Sequence, residues 1–377
     1  MSASTSSKSL VEIAAFPPPM GAWSQRIEFV AEQWRGRGHE CILLNIGPSR
    51  KLRNPTYCNV RGILDYLFKV TIFAVQGHVL HTHTNAKGVK GNLLALAAHF
   101  ISCLRGRRCA LTFHAGVRQE YFPKTGNWLK DTLLSLTFKT ARLIICNNAE
   151  VKQKIVEGYG IAEEKVFPIQ AFCAAYMRQT PTELPENVQE FARQHAPLLI
   201  SYVFFFHPEF AVDDMLQAVA RLRQKYPQLG LVIMGSQQYA ENYQALIQEL
   251  ELGSHLLLTG NLPRDQFLGV LKHGDLYLRT PMGDGVAASV LEALALGTPV
   301  VASDNGARPP SCVLYRERDV DDMVKQIERV LANHAAVTAA IIKPDDRDTV
   351  SEEVDLLLSI IEERTPREAA LETNLHA

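Results

Sequence analysis

The sequence lacks the usual signs of covalent or metal cross-linking. Its seven cysteines (Cys41, Cys58, Cys103, Cys109, Cys146, Cys173 and Cys312) are odd in number, scattered and never spaced Cys-x-x-Cys. That argues against a disulfide scaffold and a thiolate metal site, and it fits a reducing cytosol. No uninterrupted apolar run reaches the roughly 18 residues of a membrane helix. The opening MSASTSSKSLVEIAAFPPP has no signal-peptide-like apolar stretch. The expectation is a soluble, cytoplasmic protein that has the option of sitting peripherally on the cytoplasmic face of a membrane. Solenoid-length repeats and low-complexity tracts are also missing.

Charge of one sign is scarce overall, with a formal net charge of −1, yet it is unevenly placed. Residues 1–175 hold 22 Lys+Arg against 11 Asp+Glu, leaving 17 against 29 for the rest. Arg105, Arg107, Arg108, Lys124, Lys130 and Lys139 contribute to the basic excess. Such asymmetry can steer a protein toward an anionic membrane surface or a phosphorylated acceptor; a merely solvated basic face is the competing reading. Because no aromatic-interleaved basic motif accompanies it, nucleic acid is not an expected partner.

What the sequence does contain is two successive series of short apolar strands alternating with amphipathic helices. With 377 residues, 47% hydrophobic and 21% charged, it is long enough for two domains with substantial cores. VEIAAF (11–16), CILLNIG (41–47), HVLHTH (78–83), CALTFHAG (109–116) and RLIICNN (142–148) read as strands. A helix follows the PPPMGAW turn, and others lie near 88–104, 126–140 and 149–158. TPTELPENVQEF has no clear periodicity and reads as a linker. Beyond it come PLLISYVFF (197–205), LGLVIMG (229–235), HLLLTG (255–260), DLYLRT (275–280) and PVVASD (299–304). Helices from Asp213, around 240–251, 264–273 and 288–296 separate them. This alternation predicts two α/β, Rossmann-like domains with parallel sheets, an N-terminal one over 1–180 and a C-terminal one over 195–345. The two sheets are expected to face each other across a cleft. A last helix near 350–364, apolar on one face, is expected to pack back across the domain boundary.

The chemistry concentrates in RTPMGDGVAASVLEALALGTPVVASD (279–304). A strand ends, a Gly-bearing loop follows, and a helix opens on the small residues Ala287, Ala288 and Ser289. Uncompensated N–H groups and the dipole make that helix start an anion site suited to a diphosphate. Asp284 lies in the loop. Glu292 lies one turn inside the helix and leans back toward its start, so two acceptor carboxylates flank the anion site and suit sugar and ribose hydroxyls. Helix capping by Asp284 and an ordinary polar role for Glu292 are the alternative. No metal site is expected: Asp213-Asp214 reads as a helix start, and DRD (346–348) lies in a polar segment before the last helix.

This segment resembles the donor-binding signature of the retaining family-4 glycosyltransferases (glycosyl transferases group 1, GT-B fold). That signature has two acidic residues with seven between them, then Ala, a small or apolar run, Gly and Thr-Pro-Val-Val-Ala-Ser; Asp284 replaces the usual first Glu. PPPMGAWSQRIEFVAEQWRGRGHE (17–40) is similar to the family's opening, with Met20-Gly21-Ala22 where a Gly pair is common. LTFHAG (111–116) is similar to its strand-terminal His. The resemblance implies a metal-independent hexosyltransferase with no cofactor, using a nucleotide diphosphate sugar as donor and a glycan or lipid-linked acceptor in polysaccharide or glycoconjugate biosynthesis. It implies His114 and Asp284 at the transferring sugar. Gly21, Gly285, Val286, Ala287, Ala288 and Ser289 would line the donor, and Glu292 would bind the ribose. Where many members carry an Arg and a Lys that face the leaving diphosphate, SYVFFFHPEFAVDDM has neither. Arg279, Arg264 or His207 are the candidate substitutes. A catalytically weak homologue acting as a scaffold, and a nucleotide-sugar epimerase of similar fold, are the alternatives.

Overall fold

The computed structural model describes residues 9–18, 21–85, 88–106, 109–117, 122–174, 177, 184–281, 283 and 285–361. The chain forms two compact units. One runs to Ala171 and resumes at Asp348; the other is Phe172–Arg347.

The first unit contains, in chain order, β1 (Ser9–Ala14), α1 (Ala22–Gly36), β2 (Glu40–Asn45), β3 (Cys58–Asn59), α2 (Ile63–Gln76), β4 (Val79–Thr84) and α3 (Val89–Leu104). β5 (Cys109–Phe113), α4 (Trp128–Thr140), β6 (Leu143–Cys146), α5 (Ala149–Tyr159) and β7 (Val166–Pro168) follow. Its seven strands are ordered β3-β2-β1-β4-β5-β6-β7, and all pairs are parallel. Strands such as β5 and β6 are buried along their whole length, as a parallel sheet covered on both faces requires. α3 packs between α2 and α4, while α1 carries the chain's last helix.

The second unit contains α6 (Glu186–Gln194), β8 (Leu198–Tyr202), α7 (Val212–Leu222), β9 (Gly230–Met234), α8 (Gln244–Glu249), β10 (Leu256–Gly260) and α9 (Arg264–His273). It continues with β11 (Leu276–Arg279), α10 (Ala288–Leu296), β12 (Val300–Ser303), β13 (Val313–Tyr315), α11 (Val320–Ala332) and α12 (His334–Ala339). Its six parallel strands are ordered β10-β9-β8-β11-β12-β13. Gly235, after β9, has φ +112, and a Cβ there would lie 1.8 Å from the Val203 carbonyl oxygen, so only glycine fits.

Two sequence expectations need correction. The supposed linker contains α6: Leu184, Val188, Phe191 and Ala192 recur at helical spacing and pack on the core, a pattern masked by its short length and two prolines. The helix expected over 240–251 is a 3-10 turn, Ala240–Tyr243, followed by the short α8. α2 and α11 escaped the sequence reading altogether. α2, with only Asp65 and Lys69 charged, has too little polar contrast to show an amphipathic stripe. Among the described residues, no helix is long and apolar enough to cross a membrane.

α13 (Thr349–Ile361) returns to the first unit and is tied to α1 through Arg26. The Arg26 guanidinium is 2% exposed and donates to Glu353 Oε2 at 2.6 Å, Thr349 Oγ1 at 2.9 Å and the Thr349 carbonyl at 2.7 Å. Removing one member of such a buried pair strands the other charge. Glu353→Ala is therefore expected to cost about 3–5 kcal/mol in urea unfolding, and the apolar double replacement Arg26→Met with Glu353→Leu far less. Equal losses in both variants would contradict this account.

Candidate active site

In a doubly wound sheet, ligands collect beyond the carboxyl ends of the strands, where the strand order reverses. In the first unit that reversal lies between β1 and β4. Glu12 on β1 is directly beside His81 on β4, and His83 follows two residues on, with its side chain on the same face of the sheet. His114 stands immediately after β5, its backbone N–H donating to the Thr84 carbonyl at 2.8 Å.

These four side chains form one hydrogen-bonded chain. His81 Nδ1 and His83 Nε2 lie 2.9 and 2.7 Å from Glu12 Oε2. His81 Nε2 meets Thr112 Oγ1 at 2.7 Å, and His83 Nδ1 meets His114 Nε2 at 3.0 Å. The Trp23 ring, in the first turn of α1, lies over His114 with centroids 3.8 Å apart. His114 Nδ1 is buried with no hydrogen-bond partner among the described residues.

Burial alone would raise the Glu12 carboxyl, but the facing His81 charge and the hydrogen bonds from His81 and His83 overcome it and hold the group at about 2. His81 is correspondingly raised, because Glu12 outweighs its desolvation. His83 is lowered by burial and then by the His81 charge. His114 is lowered well below the usual imidazole value, again chiefly by burial. The donor atoms of Glu12, His81 and His83 lie within 4.8 Å of one another, a set of a kind that can hold a metal ion. Their 2.7 and 2.9 Å separations are those of hydrogen bonds, shorter than the spacing of nitrogens and oxygens about a tetrahedral zinc.

In the second unit the reversal lies between β8 and β11, and α10 opens directly beyond β11. Among the described residues no side chain caps α10, no acidic residue occupies its first turn, and Ala287 before it takes φ +63. A non-glycine residue held there costs about 1–3 kcal/mol, strain that tends to mark a functional turn. Asp284 lies outside the described residues, as does Met20. Gly285 is held through its carbonyl by Asn305 Nδ2 at 3.2 Å and Arg308 Nη1 at 3.1 Å; Val286 is half-buried beside it. Arg308 also donates to the Pro281 carbonyl at 2.8 Å, so it braces both ends of the loop, a role the sequence reading did not assign. Ser289 Oγ accepts from Tyr277 at 2.7 Å.

The proposed cations fare differently. Glu292, 6% exposed, is joined to Arg264 by a 2.8 Å ion pair, so the carboxylate assigned to a ribose faces a guanidinium from the start of α9. Arg279, favoured by its position at a strand end, turns inward: it is 6% exposed and donates to the Tyr202 carbonyl at 2.8 Å. His207 Nδ1 accepts the Glu209 N–H at 3.3 Å and caps a 3-10 turn. Gly21 caps α1 in an extended conformation, φ −141, in a reciprocal bond pair with Ser24. His81, His83 and Glu12 were missed because a two-residue spacing on one strand shows only that the histidines share a face, not what faces them.

Two doubly wound units joined in one chain define the fold class, and solved structures agree. A sugar-nucleotide complex of Anabaena HepE, with UDP-glucose, superposes with TM-score 0.68 at 15% identity, covering 97% of this chain and 98% of that one. A UDP-GlcNAc 2-epimerase from Neisseria meningitidis gives 0.64 at 14%, covering 93% and 100%. The fold is GT-B. Residues 185–369 match the glycosyl transferases group 1 family. The D-inositol 3-phosphate glycosyltransferase of Corynebacterium jeikeium is 26% identical over 178 residues, 45% of this chain and 42% of that one. The chain spans from 26% to 61% of the length of the first curated relatives it matches.

The four-residue chain has a pH consequence. An unfolded chain protonates His83, His99 and His114 near the ordinary 6.5, whereas the folded state resists, His99 down to about 4. The unfolded state then binds more protons, so stability falls as pH drops below 6.5. His81 opposes this, since its contribution is full below its unfolded value and is lost only as pH rises through its raised one. Glu12 adds acid lability as pH falls from 4.5 toward about 2. Calorimetry is expected to give a lower Tm at pH 5 than at pH 7.5; an unchanged or higher Tm would contradict neutral His83 and His114.

Proposed function

We propose that this chain is a retaining, metal-independent glycosyltransferase of family 4, moving a hexose from a nucleotide diphosphate sugar to a glycan or lipid-linked acceptor. The observation that carries the reading is the start of α10 at the sheet's reversal point, with no acidic residue in its first turn and no side-chain cap among the described residues, inside the family-matched segment. Such a helix start is a diphosphate site, stabilising the charge that develops on the leaving group. Several relatives named as glycosyltransferases, and a neighbour complexed with UDP-glucose, support it. Asp284 and His114 would meet the donor sugar, and Glu292 the ribose. Arg264, already beside Glu292, is a better-placed substitute for the missing cations than Arg279 or His207. No cofactor or metal takes part in this reading.

The test is a panel of nucleotide sugars scored for nucleoside diphosphate release, with product analysis with and without acceptor. Release should survive a chelator and fall at least about tenfold in Glu292→Ala and Arg264→Ala. Absence of binding and turnover with every donor would defeat the proposal, favouring a scaffold. Epimerised sugar formed without acceptor would instead favour the epimerase chemistry named for several structural neighbours.

We also propose that the first unit rests on an anionic membrane surface. α2, α3 and α4 form one layer whose outward residues are apolar: Leu64 is 80% exposed, Phe68 65%, Phe100 60%, Leu104 70%, Trp128 76% and Leu129 58%. Exposed Lys90, Arg105 and Lys139 lie on or beside these helices, and like-charged copies would repel, so a lipid interface is the favoured occupant. Sedimentation with phosphatidylglycerol vesicles should decrease as salt rises and drop further in Leu64→Ser with Trp128→Ser. Binding that is absent or independent of salt, or self-association through this face, would overturn it.

A further inference from the structure

The His83 and His114 rings are parallel to within 8° with centroids 5.1 Å apart, and their facing nitrogens, 3.0 Å apart, share one proton. The far edge of His83 meets Glu12 Oε2 at 2.7 Å. An ionised carboxylate only accepts, so the proton between Glu12 and His83 belongs to His83 Nε2. A neutral His83 then presents its Nδ1 lone pair to His114, which must donate from Nε2. A neutral His114 is left with a bare lone pair on Nδ1, which among Glu12, His81, His83 and His114 is the one side-chain atom that is buried with no hydrogen-bond partner. The charges facing the chain are His81 and, farther off, Arg26 and Glu353. His81 spends its protons on Glu12 and Thr112, and Arg26 on Glu353 and Thr349, so neither of them donates to His114 within this network.

We propose that Glu12 and His83 are positioning residues that lock His114 into the tautomer whose Nδ1 accepts, committing it to a hydroxyl or N–H of the bound substrate rather than to a phosphate. A phosphate oxygen needs a donor, which this tautomer does not offer on its free edge; a sugar hydroxyl supplies one. Trp23 packs against His114 with ring centroids 3.8 Å apart and restricts its rotation. Imidazole direction is set here as in metal and triad sites, by what the second nitrogen touches. The proposal rests on the reading of His114 as a substrate-facing residue, but its tautomer can be measured whether or not the protein turns over a sugar.

Long-range proton–nitrogen correlation spectra of the ring-labelled full chain at pH 7 test it. The expected pattern is His114 neutral and protonated on Nε2 only, His83 neutral and protonated on Nε2 only, and His81 protonated on both nitrogens. A proton on His114 Nδ1, or an imidazolium at His83 or His114, overturns the proposal. Glu12→Gln can still accept from His83 and should retain the His114 tautomer; Glu12→Leu and His83→Phe should scramble it. With an active donor in hand, kcat should fall at least about tenfold more in Glu12→Leu and His83→Phe than in Glu12→Gln, with donor KM changed less. Losses that instead track each variant's Tm would mark the chain as structural only and overturn the proposal. Should Glu12→Leu not fold, the unmutated chain and Glu12→Gln still decide the tautomer.

Discussion

The buried carboxylate of Glu12 sets the protonation of the histidine chain in the first unit. Glu12 sits on β1 at the point where the strand order reverses, fully buried, and it must be compensated by protons from neighbouring groups. His81, whose imidazole Glu12 holds above its usual value, and His83, held below it by burial, both bond to the carboxylate. That asymmetry passes outward to His114, where it becomes a bare nitrogen lone pair. A buried ion pair of this kind is a weak source of stability, but it is specific: it leaves one protonation pattern that pairs every member except the outer nitrogen of His114.

The second unit meets its requirement with the backbone. The N–H groups at the start of α10 form a partial positive charge, and the loop that delivers them is held at the Pro281 and Gly285 carbonyls by Arg308. Arg308 thus works on the loop, whereas Arg264 and Glu292 neutralise each other beside it.

Much of this was legible before the fold was known. Alternation of apolar runs with amphipathic helices is a local property, so both sheets and the strand-loop-helix of residues 279–296 could be read directly. Helices without polar contrast, such as α2, and helices hidden by flanking prolines, such as α6, could not. The histidines of HTH could be placed on one strand face but not paired. Glu12 lies some seventy residues earlier, and only the parallel register of β1 with β4 brings it opposite His81.

The sequence by itself determined the fold class, the family of residues 185–369 and the chemical character of the α10 start, because each depends on short-range order along the chain. The tertiary structure alone decided the partners. It turned Arg279 inward, gave Arg264 to Glu292, made Arg308 a brace, and joined Glu12, His81, His83 and His114 into one proton chain. Those outcomes depend on distances between residues remote in sequence, set by strand order and packing rather than by any local pattern.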